Sequence, residues 1–141
     1  MLALIVIKRV SLWRKSSECF EMSIDIDCYT NQSENKIQKV LDDFIVSNFE
    51  LLDGFYSFSQ VLKIYNKAEI LEVEDKYEQY HLESMLLIAE EYGFNDVKSM
   101  FVISVIDKTF SRVGLIEFSV MLKNKFGENN ILILFNGESK L

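Results

Sequence analysis

The sequence predicts an α/β fold of the α+β kind, a mixed β-sheet with about three helices packed on it, in one domain spanning residues 1–141. Three observations carry this. One segment alternates apolar and polar residues at the period of a strand. Three segments repeat apolar residues at helical spacing, two behind a capping signal and two ahead of a glycine. Two short runs are apolar on both faces, as strands are when helices cover each side of a sheet. The predicted element order is ββαβββαβαβ.

Taken in order, residues 2–13 form a β-branched and aliphatic run ending at Trp13, the first expected strand. A polar turn over 14–18 leads to the alternation. Phe20, Met22, Ile24, Ile26 and Cys28 fall on one face, and Glu21, Ser23, Asp25 and Asp27 on the other. This reads as a strand with one buried and one acidic, wet side. Asn31-Gln32-Ser33-Glu34 has the form of a capping box, and Ile37, Val40, Leu41 and Phe44 follow at helical spacing, so a helix is expected over about 34–46. Asp53-Gly54 lies between apolar runs at 49–52 and 55–58, a hairpin signal because both turn positions favour positive φ. A second strand pair is expected to flank Asn66-Lys67, joining 60–65 to 68–74.

Asp75-Lys76-Tyr77-Glu78 opens the second helix, whose stripe is Leu82, Met85, Leu86, Ala89 and Tyr92, with Gly93 as its stop. Met100–Ile106 is nearly all apolar, as a central strand would be. Leu115, Phe118, Leu122 and Phe126 mark the third helix, ended by Gly127, and Ile131–Phe135 is the last buried strand. These final three elements form a strand–helix–strand crossover, for which parallel strands are expected.

Composition narrows the function classes. Half of the chain is apolar (49%) and 13% aromatic, ample for a packed core without metal or disulfide. Cys19 and Cys28 sit on one predicted strand, about 30 Å apart at 3.3 Å per residue, too far to bridge. Two unpaired thiols fit a reducing compartment. The apolar start is too short for a secretory signal, and no window approaches the length that spans a bilayer, so a cytoplasmic chain that meets no membrane is expected. The net charge is −7, with nine acids against two bases over 18–53 and eight against Lys76 alone over 69–91. A net acidic face disfavours nucleic acid as the partner and favours a basic protein.

Catalytic chemistry finds little material. His81 is the sole histidine and lies beside the apolar stripe of its helix, where a partly buried structural imidazole is expected. A histidine-based zinc site would need ligands the chain lacks. The five glycines are scattered singly, so no phosphate-cradling loop opens a helix. Carboxylate pairs such as Asp42-Asp43 and Glu90-Glu91 fall on polar faces, where they are solvated rather than split in pKa. No catalytic residue, metal site or cofactor is therefore expected, and the chain is read as a binding protein, not an enzyme.

The acidic strand faces are the candidate partner-binding residues: Asp25 and Asp27 on one, Glu72 and Glu74 on another, and Glu78 in the helix that follows. Were the two strands close, these carboxylates would merge into one negative patch suited to a cationic partner. In size, charge and α/β type, with segments Glu21–Asp27 and Glu72–Asp75, the chain resembles the small acidic immunity proteins of bacterial contact-dependent inhibition and polymorphic-toxin systems. The resemblance implies a cognate toxin domain as partner, a basic nuclease, blocked by occlusion of its active site. Two other readings stay open. A small regulatory domain would show a pocket with convergent polar groups. A viral host-signalling antagonist of the small helical kind is similar in Asn130–Phe135 but disagrees with the alternation over 20–28.

Overall fold

The computed structural model describes residues 24–106, 112–136 and 139–141. The expected strand over 2–13, Cys19, and the beginning of the alternation at Phe20 and Met22 lie outside them. The described elements are β1 (Ile24–Thr30), α1 (Glu34–Ser47), α2 (Phe49–Leu52), β2 (Tyr56–Phe58), β3 (Leu62–Lys63), α3 (Lys67–Leu71), α4 (Lys76–Glu91), β4 (Ser99–Val105), α5 (Arg112–Phe126), a 3₁₀ turn (Glu128–Asn130), β5 (Ile131–Phe135) and β6 (Ser139–Lys140).

These strands form one sheet in the order β2–β4–β1–β5–β6, with β3 paired to β4 beside β2. β1 is hydrogen-bonded on both sides, antiparallel to β4 with Cys28 opposite Phe101, and antiparallel to β5 with Cys28 opposite Ile133. Every pairing among the described strands is antiparallel. The described sheet is thus antiparallel where a mixed one was expected: β4 and β5 do run the same way around the last helix, but β1 lies between them and opposes both.

The sheet divides the apolar residues between two cores, making an α+β arrangement of three layers. On one face Ile26, Cys28, Phe101, Ile103 and Ile133 meet α1 and α5 through Ile37, Leu41, Phe44, Leu115, Phe118, Leu122 and Phe126. On the other, Tyr29, Met100, Val102, Leu132 and Leu134 meet α3 and α4 through Ile70, Leu82, Met85, Leu86 and Ala89. This explains the two doubly apolar runs: β4 and β5 send alternate residues into both cores. Aromatic rings join the first core together, with Phe44 6.3 Å from Phe118 and 6.5 Å from Phe126, and Tyr56 stacked on Phe118 at 4.1 Å.

Local signals set the three long helices. Ser33 caps α1 by accepting from the Lys36 amide at 3.5 Å. Asp75 caps α4 through Oδ1, which accepts from the Tyr77 and Glu78 amides. At its other end Gly93, at φ +79°, lets the Gly93 amide donate to Glu90 and the Phe94 amide to Ala89, satisfying the last carbonyls.

Two sequence expectations are overturned. Residues 49–52 are not a hairpin arm but the helix α2, and Gly54 (φ +82°) turns the chain from α2 into β2, whose partner is β4. Only Leu52 of that run is buried, a helical rather than a strand pattern. Residues 68–74 are likewise not a strand. Asn66 accepts from the Glu69 amide at 2.9 Å while Glu69 Oε1 accepts from the Asn66 amide at 3.1 Å, a reciprocal capping box that starts α3 where a hairpin turn was expected.

The strand before it is split by a bulge. Phe58 faces Ile103 and Leu62 faces Met100, so residues 59–61 oppose only 101 and 102. The Ser59 hydroxyl takes the Val102 amide at 2.8 Å, and Gln38 of α1 takes the Val61 amide at 2.8 Å. The Val102 and Val61 amides at the bulge are thereby satisfied.

Truncating Phe44→Ala should destabilise the protein by about 3–5 kcal/mol, because the ring joins α1 to α5 over the sheet. Asn66→Ala should cost about 1 kcal/mol through the lost cap. Urea unfolding of the two variants checks both, and equal losses would contradict this division between core and cap.

Candidate partner-binding surface

The five candidate carboxylates do not share a surface. β1 is the middle strand of the sheet, covered on both faces, so its acidic side is not a wet side. Asp25 is only 7% exposed and accepts from the Ser104 hydroxyl at 3.0 Å. Its backbone is clamped as well: the Asp25 amide donates to Asn136 Oδ1 at 2.9 Å, and the Asn136 amide donates to the Asp25 carbonyl at 2.7 Å. Asn136 holds φ +54° to make this contact, a left-handed conformation that asparagine tolerates. Asp27 is half-buried between Val102 and Leu134. A carboxylate removed from water needs such partners, so Asp25 is a structural acid.

Glu72, Glu74 and Glu78 are exposed, but not on a strand. Glu72 is the C-terminal cap of α3, Glu74 lies in the short link, and Glu78 stands in the first turn of α4. Val73, between them, tucks into the second core, and Gln79 Nε2 donates to the Ile70 carbonyl at 3.0 Å. These two attachments pin the corner and turn its carboxylates outward. These three carboxylates therefore stand at a helix–helix corner and not on a strand face.

A cleft of about 810 Å³ opens at the other end of α3, between the start of α1, β3 and the end of α4. Its charges are mixed: Lys63, Lys67 and Lys98 face Glu69, Glu90 and Asp96. Lys63 Nζ lies 2.5 Å from Glu69 Oε2 and 4.9 Å from the Tyr65 ring centroid. The Lys63 hydrogen bond, followed by the Asn66 amide, holds the Glu69 carboxyl below the usual glutamate range, and the same bond raises Lys63. Within the cleft, Lys63, Glu69 and Asn66 thus engage one another.

The groups available for chemistry are few. Cys28 is fully buried, and burial, then the neighbouring Asp27 charge, push its thiol well above the ordinary range, away from the reactive thiolate. His81 is half-buried with the Tyr77 ring edge-on at 4.5 Å and Tyr80 at 6.1 Å. Among the described residues, no three His, Cys, Asp or Glu side chains converge as a metal site requires, and no helix is long and apolar enough to cross a membrane.

Sequence reasoning passed over the exposed aromatics of α4, Tyr77 at 67% and Tyr80 at 68%. The signal was present in their spacing, three residues apart and off the stripe that the core uses.

Asp25→Ala should lower stability by about 1–3 kcal/mol, since it removes the acceptor of the part-buried Ser104 hydrogen bond while the main-chain clamp by Asn136 remains. Thermal unfolding measures this, and an unaltered midpoint would show Asp25 to be dispensable to the sheet. For Glu69 the folded carboxyl titrates below its unfolded value. Its contribution should be present above the ordinary glutamate pKa and fade as pH falls through the depressed one. Wild type and Glu69→Gln should therefore converge in stability on acidification, which parallel acid titrations would reveal.

A family model described as "CDI System Immunity Component" matches residues 22–139, spanning the fold from β1 through β5. The chain is also similar to a chain of a solved structure described as a "CdiA-CT/CdiI toxin and immunity complex from Burkholderia pseudomallei". The two are 25% identical with a TM-score of 0.64, over 83% of this chain and 95% of that one. No curated protein matches. A match over nearly all the described elements covers the two-core sheet itself rather than one motif, and the chain belongs to the CDI system immunity component family.

Proposed function

We propose that this immunity protein binds the toxin domain of its own system and neutralises it by covering the toxin's active site, without turnover and without a cofactor. The family match over residues 22–139 carries this reading. The toxin-and-immunity complex to which the chain is similar supports a protein partner. The net charge of −7 and the Glu72, Glu74, Glu78 corner support a basic one. A nuclease is the toxin class that fits, because an enzyme acting on a polyanion presents the cationic face that such a corner attracts. The protein acts in the cytoplasm, where a nuclease would meet its substrate. Asp25 and Asp27, enclosed in the sheet, support the surface rather than form it.

A ligand-binding role would rest on the 810 Å³ cleft, which has the volume of a small-molecule site. Its Lys63 and Glu69 are engaged with each other, which favours a structural part for them.

The direct test is protection. Cells producing the toxin domain encoded beside this chain should stop growing, and co-production of this chain should restore growth. Undiminished killing in the presence of folded chain would sink the proposal.

Reversing Glu72→Lys and Glu74→Lys together should slow association with that toxin on the order of tenfold at low salt and much less at high salt. Stopped-flow association rates at two ionic strengths decide it. A rate equal to the wild type's would remove the corner from the encounter surface.

A further inference from the structure

The outer face of α4 departs from what a surface helix should show. A helix on a core ordinarily turns polar residues outward, and α1 does so with Asn35, Lys36, Lys39, Asp42 and Asp43. In α4 the core side is Leu82, Met85, Leu86 and Ala89. At about 100° per residue, Tyr77, Tyr80, Ser84, Leu87 and Glu91 fall within an arc of about 80° on the opposite side. Tyr77, Tyr80 and Leu87 are 67%, 68% and 50% exposed. They form a second apolar stripe that stays largely open.

Two features mark this stripe as a prepared surface. The tyrosine rings both meet His81 edge-on, Tyr77 at 4.5 Å and Tyr80 at 6.1 Å between ring centroids. Ordered aromatic side chains lose little freedom on binding. The stripe is also interleaved with carboxylates at helical spacing. Glu83 lies three residues after Tyr80 and four before Leu87, Glu91 lies four after Leu87, and Glu74 and Glu78 stand at the N-terminal end. Lys76 is the sole base from 69 to 91. A surface of this kind fits arginine and lysine side chains. Their stems lie along Leu87, their cationic heads meet the tyrosine faces, and the flanking carboxylates complete the pairing.

We infer that the outer face of α4, centred on Tyr77, Tyr80 and Leu87, is the anchor of the toxin interface and receives an arginine- or lysine-bearing face of the toxin domain. This rests on the toxin-inhibitor reading above and goes beyond it. The corner carboxylates govern encounter, whereas the α4 stripe governs how long the complex lasts. An α4 face about 24 Å long supplies part of the roughly 800 Å² per partner of a standard interface, and the corner continues it.

The test uses the full chain, the toxin domain encoded beside it, and surface-immobilised binding kinetics. Tyr77→Ala/Tyr80→Ala should raise the dissociation rate ~30-fold or more, at low and high salt alike, while leaving the unfolding midpoint unchanged. Tyr77→Phe/Tyr80→Phe should retain most of the affinity. A control on a different exposed apolar patch, Phe49→Ser/Leu51→Ser, should bind as the wild type does. Amides 76–91 of the wild-type chain should gain protection from hydrogen exchange in the complex. Wild-type dissociation from the double alanine variant, or loss of binding in the Phe49/Leu51 control with α4 unprotected, overturns the assignment and leaves the inhibitor function standing. Failure of the wild-type chain to bind the toxin at all overturns both.

Discussion

The enclosure of β1 is the constraint on which the molecule turns. It is paired to β4 on one side and β5 on the other, with helices above and below. A seven-residue strand in that position must satisfy every backbone group and bury both rows of side chains. One row is Ile26 and Cys28, apolar as expected. The other contains Asp25 and Asp27, and it is tolerated because neighbours are arranged around Asp25: Ser104 donates to its carboxylate, and Asn136 clamps its main chain from a left-handed conformation. At the opposite end of the strand, Thr30 and Ser99 hydrogen-bond each other, and Ser99 donates to the Gln32 carbonyl at 2.8 Å. Polar residues thus close both ends of the strand, with Ile26 and Cys28 buried between them.

That enclosure also decides which carboxylates reach the surface. Carboxylates placed in β1 are absorbed into the sheet, and the outward charge moves to the α3–α4 corner and the back of α4. The second core fixes this arrangement. Ile70 and Val73 hold α3 and the link against α4, so Glu72, Glu74 and Glu78 face away from it. The same packing consumes only one side of α4 and leaves the tyrosine side open. An immunity component must be stable alone yet carry a surface for another protein, and in the interface proposed above the two demands fall on opposite faces of one helix.

The mixed-charge cleft at the far end of α3 belongs to the stability side of that division. Lys63 and Glu69 join β3 to the capping box of α3, one carboxylate serving both the Asn66 amide and the Lys63 ammonium. An exposed pair of this kind contributes little by itself. Its value lies in fixing the angle at which a five-residue helix leaves a two-residue strand.

Local chemistry alone determined the three long helices, the apolar strands β4 and β5 and the overall α+β class, because caps, spacing and glycine stops act within a few residues. It was misleading where one motif has two readings. Asn66-Lys67 serves as a hairpin turn or as a helix cap, and only Glu69 three residues on distinguishes them. Phe49–Leu52 is apolar enough for either a strand or a helical turn. What the tertiary structure decided was neighbourhood. Alternation shows that Ile26 and Asp27 point opposite ways, but not whether water or another layer waits on the acidic side. That depends on α4, about 50 and more positions away in sequence, and on β4 and β5, more than about 70 away, whose packing no local pattern records.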